Sequence, residues 1–146
     1  MSVSMGGGVS GNGSIPILEA MLSFTHQRQT LLVNNIANLN TPNFRAKDLP
    51  VSEFQALLKE ALNNRSTGAS PIQLPTGGSI KHAEGGGFEG VPVFRQSGVT
   101  RHDGNNVSID VEMNELLKNA LTAQTLNKLL AGKYGGLQKA IKGTVT

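Results

Sequence analysis

Residues 109–141 read IDVEMNELLKNALTAQTLNKLLAGKYGGLQKAI, and their apolar positions recur at alternating steps of four and three. Ile109, Met113, Leu116, Ala120, Ala123, Asn127, Leu130, Tyr134, Leu137 and Ile141 form one heptad stripe, broken in polarity only at Asn127. That period belongs to a helix seam. At about 1.5 Å per residue the helix is a rod on the order of 50 Å long. A lone helix of this kind leaves its stripe in water, so it requires a partner helix. The same period returns near the N-terminus as Leu18, Leu22, Thr25, Gln29, Leu32, Ile36 and Leu39. A mainly α chain with helical stripes at both ends and a Gly-rich middle is built for assembly rather than for enclosing a pocket.

Working outward, the composition supports this reading. The chain has 146 residues, one domain's worth, yet only five Phe, one Tyr and no Trp. Its eighteen Gly gather at the N-terminus and in the middle. Part of such a chain is expected to be disordered in the free monomer. The net charge of +3 is spread as +1 over residues 1–50, zero over 51–106 and +2 over 107–146. No basic block with interleaved aromatics exists, so no nucleic-acid partner is expected. The absence of Cys excludes disulfides, thiol chemistry and a Cys-type zinc site. No apolar run is long enough to span a membrane. Met1 to Ser14 has neither a basic n-region nor an apolar h-region, so no cleavable secretory signal is read there.

Four stretches follow along the chain. Residues 1–14 read as a flexible arm. Residues 15–63 form an N-terminal helical part: Ser14 is a candidate N-cap, Pro16 suits the first turn, and the helix ends at Ala37 or Asn38. A signature turn occupies 38–48. Asn38 and Asn40 both tolerate left-handed geometry, so either is expected to close the helix, Thr41 is pushed to extended geometry by Pro42, and Asn43 accepts positive φ. Phe44 is expected to plug this turn back against the helices. A second, shorter helix is predicted over Ser52–Asn63, capped by Ser52, with Phe54, Leu57, Leu58, Ala61 and Leu62 on one face. Residues 64–106 read as a Gly-rich variable connection with little β. Val91–Phe94 and Val107–Val111 are weak strand candidates, the second doubling as the lead-in to the long C-terminal helix of 107–146.

No catalytic constellation is present in the sequence. His26, His82 and His102 belong to no H-x-x-x-H pair. Asp110 and Glu112, at the start of the long helix, read as charges that offset its macrodipole. Gly132-Lys133-Tyr134 has the Gly-Lys pair of a phosphate loop, but Tyr134 stands where Ser or Thr would be needed and Asn127 replaces the first glycine. Gly132, Gly135 and Gly136 instead weaken the last helical turns. No enzyme activity, cofactor, metal or small-molecule substrate is expected.

Two stretches carry a more specific message. The run Asn34-Asn35-Ile36-Ala37-Asn38-Leu39-Asn40-Thr41-Pro42-Asn43-Phe44 resembles the N-terminal signature of bacterial flagellar rod, hook and related axial proteins, with Asn43 and Phe44 replacing the usual Gly and Tyr. Gly104-Asn105-Asn106-Val107-Ser108-Ile109-Asp110-Val111-Glu112-Met113 and the closing Leu129–Ile141 segment are similar to those of a proximal rod subunit of that family. Ala123 stands where the family often has Tyr. The resemblance covers roughly residues 15–62 and 103–142.

The resemblance implies a structural subunit of the basal-body proximal rod. Its N- and C-terminal helices would pair as an antiparallel coiled-coil-like hairpin and polymerise around a central channel, transmitting torque. The implied partners are further copies of itself, other rod subunits, and the membrane-ring and export-gate components at the rod base. The implied location is the periplasmic side of the inner membrane, reached through the flagellar type III export apparatus. The residues expected at the assembly interface are Leu18, Leu22, Leu32, Ile36, Ile109, Met113, Leu116, Ala120, Ala123, Leu130, Tyr134, Leu137 and Ile141. Two alternatives stand beside this reading: another axial subunit of rod or hook type, and a soluble coiled-coil adaptor without a flagellar role.

Overall fold

The computed structural model describes residues 14–65, 76–83, 88–96 and 99–143. The arm expected over residues 1–13 and much of the Gly-rich connection lie outside the described residues. Three helices and four short strands follow in order: α1 Ile15–Ala37, β1 Lys47–Asp48, α2 Val51–Arg65, β2 Ile80–His82, β3 Phe88–Gly90, β4 Val93–Phe94 and α3 Ile109–Gly143. The fold is mainly α, and its long terminal helices pack against each other. Their direction can be read from the cross-links. Glu19, Thr25, Arg28 and Asn35 of α1 bond, in that order, to Tyr134, Asn119, Glu115 and Glu112 of α3. Ascending numbers on one helix meet descending numbers on the other, so the pair is antiparallel.

The face that α3 turns inward differs from the stripe read in the sequence. Glu112, Asn119, Ala123, Leu126 and Leu130 are buried, and Leu116 is half-buried. The column of Leu116, Ala123 and Leu130 is as expected. The other column is Glu112, Asn119 and Leu126, one residue before the expected Met113, Ala120 and Asn127, which are exposed. The physical reason is that Glu112 and Asn119 have partners. A buried polar group with its hydrogen bonds made is tolerated, whereas apolar spacing alone treats it as an outward residue. α1 shows the same one-residue displacement. Ile17, Phe24, Thr25, Leu32 and Asn35 are buried, while Leu18, Leu22 and Ile36 are half-buried and Gln29 is exposed.

A second core lies on the flank of α1. Ile17, Ala20 and Phe24 pack there with Leu49, Phe54, Leu58, Ala61, Ile80 and Phe88. Phe24 and Phe54 stack with centroids 4.0 Å apart. Three of the five Phe are thus spent in one small cluster, which joins α1 to α2 and to the β2–β3 ribbon. The ribbon is further tied down by Gln27, whose amide donates to the Phe88 carbonyl at 2.6 Å and accepts from the Gly90 amide at 2.9 Å. A Cβ at Gly90 would stand 2.9 Å from a Leu49 methyl, so a side chain there would have to displace the buried Leu49.

Local details depart from the sequence reading in four places. Ser14 occupies the cap position of α1 but makes no side-chain capping bond. α2 begins at Val51, which puts Ser52 inside the first turn instead of at the cap. The strand candidate at Val91–Phe94 shortens to Val93–Phe94, paired antiparallel with β1. Val107–Val111 forms no strand: Val107 is buried in the lead-in and α3 has begun by Ile109.

Candidate functional site

The two sequence motifs, some sixty residues apart, meet at one end of the hairpin. α1 closes at Asn38 with φ −100°, and neither it nor Asn40 takes the expected left-handed geometry, because the Asn38 amide bonds back to the carbonyls of Asn34 and Asn35 and the reversal falls later, at Asn43. The chain then turns through Thr41, Pro42 and Asn43. Asn43 has φ 60° and is the one non-glycine residue with positive φ among the described residues. Its amide donates to the Asp103 carbonyl at 2.8 Å. Gly104, φ 78°, sits so close that a Cβ there would be 2.5 Å from the Asn43 Oδ1. Thr41 and Pro42 are exposed, and Phe44 is half-buried.

Asn105 is the centre of this junction and has no exposed surface. Its Nδ2 lies 3.0, 3.1 and 2.8 Å from the carbonyls of Asn38, Leu39 and Thr41, and its Oδ1 accepts from the Val107 amide at 2.7 Å. Carbonyls at a helix end have no intrahelical donor. Here the donor comes from the loop that leads into α3. Asn106 continues the clasp, its Oδ1 accepting from the Ala46 amide at 2.7 Å. The signature turn and the Gly104-Asn105-Asn106 run are therefore one structural unit. Asn105 stands within the Gly104–Met113 run, but its role is not legible there, since nothing local marks the three carbonyls it serves.

A buried charge network lies beside the clasp. Glu112 is 1 % exposed and receives hydrogen bonds from Arg95 and from Asn35 Nδ2. Arg95 also bonds Asp48 at 3.1 Å. Arg28 forks onto both oxygens of Asp48 at 2.8 Å and reaches Glu115 at 2.8 Å. Asn35 closes the set by bonding the backbone of Lys47 through both its side-chain atoms. The macrodipole role expected for Glu112 is thus secondary: it is the deepest charged group of the described chain. Burial pushes the Asp48 carboxyl up, but the hydrogen bonds and charges of Arg28, with the Leu49 amide and Arg95, outweigh it and hold that carboxyl below its usual range. The Arg28 hydrogen bond also lowers Glu115. Arg28 itself is pushed up, chiefly by Asp48.

A cleft of about 590 Å³ opens here, lined by Leu39, Arg95, Arg101, Val107, Ile109 and Val111 among others. Among the described residues no three His, Asp or Glu converge as metal ligands, and no helix is long and apolar enough to cross a membrane. What the arrangement does is mechanical: it fixes how α1, β1, β4 and α3 sit relative to one another.

The residues expected at the assembly interface divide by position. Leu32, Ala123 and Leu130 are buried inside the hairpin of the single chain. Leu18, Leu22, Ile36, Leu116 and Leu137 are half-buried, and Ile109, Met113, Ala120, Tyr134 and Ile141 point outward. Tyr134 also donates to Glu19 at 2.5 Å, which raises the phenol's pKa. Val33, Leu117, Leu121 and Leu129 are exposed apolar residues that the heptad count passed over, because they lie off the stripe.

No family model matches the chain. Individual relatives do, along nearly its whole length. It is 32% identical over 134 residues to the flagellar basal body rod protein FlgB of Bacillus subtilis (strain 168), covering 90% of this chain and 95% of the relative. It is 31% identical over 135 residues to FlgB of Aeromonas hydrophila, covering 92% and 97%. With FlgB of Aquifex aeolicus it shares 28% identity over 129 residues, 88% and 93% of the two chains. Together with the helical hairpin, these likenesses define the class, a structural subunit of the flagellar basal-body rod. The chain belongs to the FlgB family of flagellar basal body rod proteins.

Proposed function

We propose that this subunit builds the proximal part of the rod and polymerises through its helical faces around a central channel, sharing torque among many contacts. The observation that carries this reading is the match to FlgB proteins over nine-tenths of the chain. The outward row of Met113, Leu117, Leu121 and Leu129 on α3 supports it, since burying that row in a neighbouring subunit removes apolar surface from water at about 25 cal/mol per Å². Other rod subunits are the neighbours above it; membrane-ring and export-gate components lie at its base, on the periplasmic side of the inner membrane. The subunit reaches that place unfolded, through the type III export apparatus, and its ends order fully at assembly, where binding offsets the entropy of ordering. The test is a strain lacking the chromosomal copy, complemented with this chain. Swimming and recovery of the chain in purified basal bodies are expected. A complemented strain that swims while the chain is absent from the basal bodies overturns the proposal.

A further inference from the structure

The β1–β4 ribbon divides its side chains by direction. Ala46 and Asp48 turn inward, and so does Arg95 beyond β4, where it joins the buried network. Arg45, Lys47 and Phe94 turn outward, with Lys47 directly opposite Phe94 in the ladder. The Arg45 guanidinium and the Lys47 ammonium each lie 5.2 Å from the centre of the Phe94 ring. That ring is 53 % exposed. Among the described residues neither cation has a carboxylate within ion-pair distance, whereas Arg28 and Arg95 each have two.

The same end of the molecule carries a patch of opposite sign. Asp110, on the first turn of α3, is exposed and has no cation within ion-pair distance among the described residues. It is set among the exposed apolar side chains of Ile109, Val111 and Met113. Both patches sit beside the Arg95–Glu112 link, hence at one level along the hairpin.

We infer that these two patches are the two halves of a lateral contact between copies of this chain: Asp110 of one subunit docks between Arg45 and Lys47 of the next, with Ile109, Val111 and Met113 covering Phe94. Unlike surfaces in contact generate an open helix or a ring, the arrangement a tubular array needs. An anionic membrane is the weaker occupant, because two cations fall short of the roughly four to eight that a lipid-binding basic cluster carries. Guanidinium and ammonium flanking a ring match a carboxylate set among aliphatic groups. The inference rests on the rod reading and specifies which surfaces of the subunit meet.

The chain is free of cysteine, which makes the test direct. Lys47→Cys and Asp110→Cys versions, distinguished by tags, are co-expressed in a strain lacking the native copy, and basal bodies are isolated and oxidised. A disulfide-linked dimer of the two versions is expected, absent from a Lys47→Cys and Lys59→Cys pair and lost when Arg45→Glu is added to the first version. Independently, Arg45→Glu with Lys47→Glu should abolish swimming, and adding Asp110→Lys should restore it. Thermal melting of the purified chains shows whether the charge-reversed subunit still folds, as exposure of both side chains leads one to expect. Subunits that enter basal bodies without the cross-link, or a charge swap that restores nothing in a folded subunit, overturn the contact and leave the rod reading standing. Absence of the chain from basal bodies overturns both.

Discussion

Asn43 and Gly104 face each other with positive φ in both backbones, and each restricts the other. Asn43→Gly is expected to be tolerated, since glycine takes this conformation more readily than asparagine. Asn43→Val forces a β-branched residue to φ near 60° and should cost about 1–3 kcal/mol. Thermal denaturation of the two variants checks the order, and a valine variant as stable as the glycine variant would show that the turn is not held as described. Asn105→Ala removes the donor serving three carbonyls at the end of α1. Those carbonyls keep the Thr41 amide, Arg101 and the Phe44 amide as donors, but the buried Val107 amide loses its acceptor, so the change should cost about 1–3 kcal/mol, measurable by chemical denaturation. These two neighbours differ in how readily sequence reveals them. Thr41-Pro42-Asn43 announces its turn through its own stereochemistry, which acts within three residues. Asn105 acts on carbonyls sixty-four to sixty-seven positions away, and no local rule points to it.

At the level of elements, α1 and α3 are legible because a helical period over many residues is a strong signal, and their bounds follow from Pro16, Asn38 and the Asp110 turn. Which column of α3 faces inward is not legible. The choice depends on Arg95, Asn35 and Thr25 arriving from elsewhere to satisfy Glu112 and Asn119. The ribbons were obscured for a similar reason: two or three residues per strand carry too little pattern, and their stability comes from docking, β2–β3 on Gln27 and the Phe24 cluster and β1–β4 on Asn35 and the Arg28–Asp48–Arg95 network. The inward and outward columns make a paired prediction. Leu126→Asp puts a charge into the hairpin seam and should cost several kcal/mol, seen as loss of the folded monomer by circular dichroism. Met113→Asp, on a side chain 52 % exposed, should leave the melting temperature nearly unchanged while swimming is lost. Equal destabilisation by both changes would mean that the seam runs through Met113 after all.

For the whole molecule, the charge network sets a floor in pH. Asp48 and Glu115 are held below their ordinary values in the folded chain, so the stability they contribute is fully present above the unfolded carboxylate range. It is lost as pH falls through the lowered folded values, in the region below about pH 4. Denaturant midpoints measured downward from about pH 7 should be nearly flat until that region and then drop, and Asp48→Asn should remove much of the drop along with part of the stability at neutral pH. A different consequence follows from the clasp. Because residues 38–46 are bonded to 101–107, the chain leaves the hairpin after Ala46 and rejoins it at Arg101 through one clasp. Extra residues between the packed parts of that excursion act on the hairpin through closure entropy, which grows with the logarithm of length, so even doubling a spacer costs about 0.6 kcal/mol. An epitope of about ten residues inserted between Arg65 and Thr76 should therefore shift the unfolding free energy by less than about 1 kcal/mol. An insertion of the same size between Thr41 and Pro42 should prevent the clasp from closing. The middle of this chain is in that sense a cartridge whose fitted parts, such as Asp48, Phe54, Phe88 and Arg95, are keyed to the helices, while the spacers between them can lengthen.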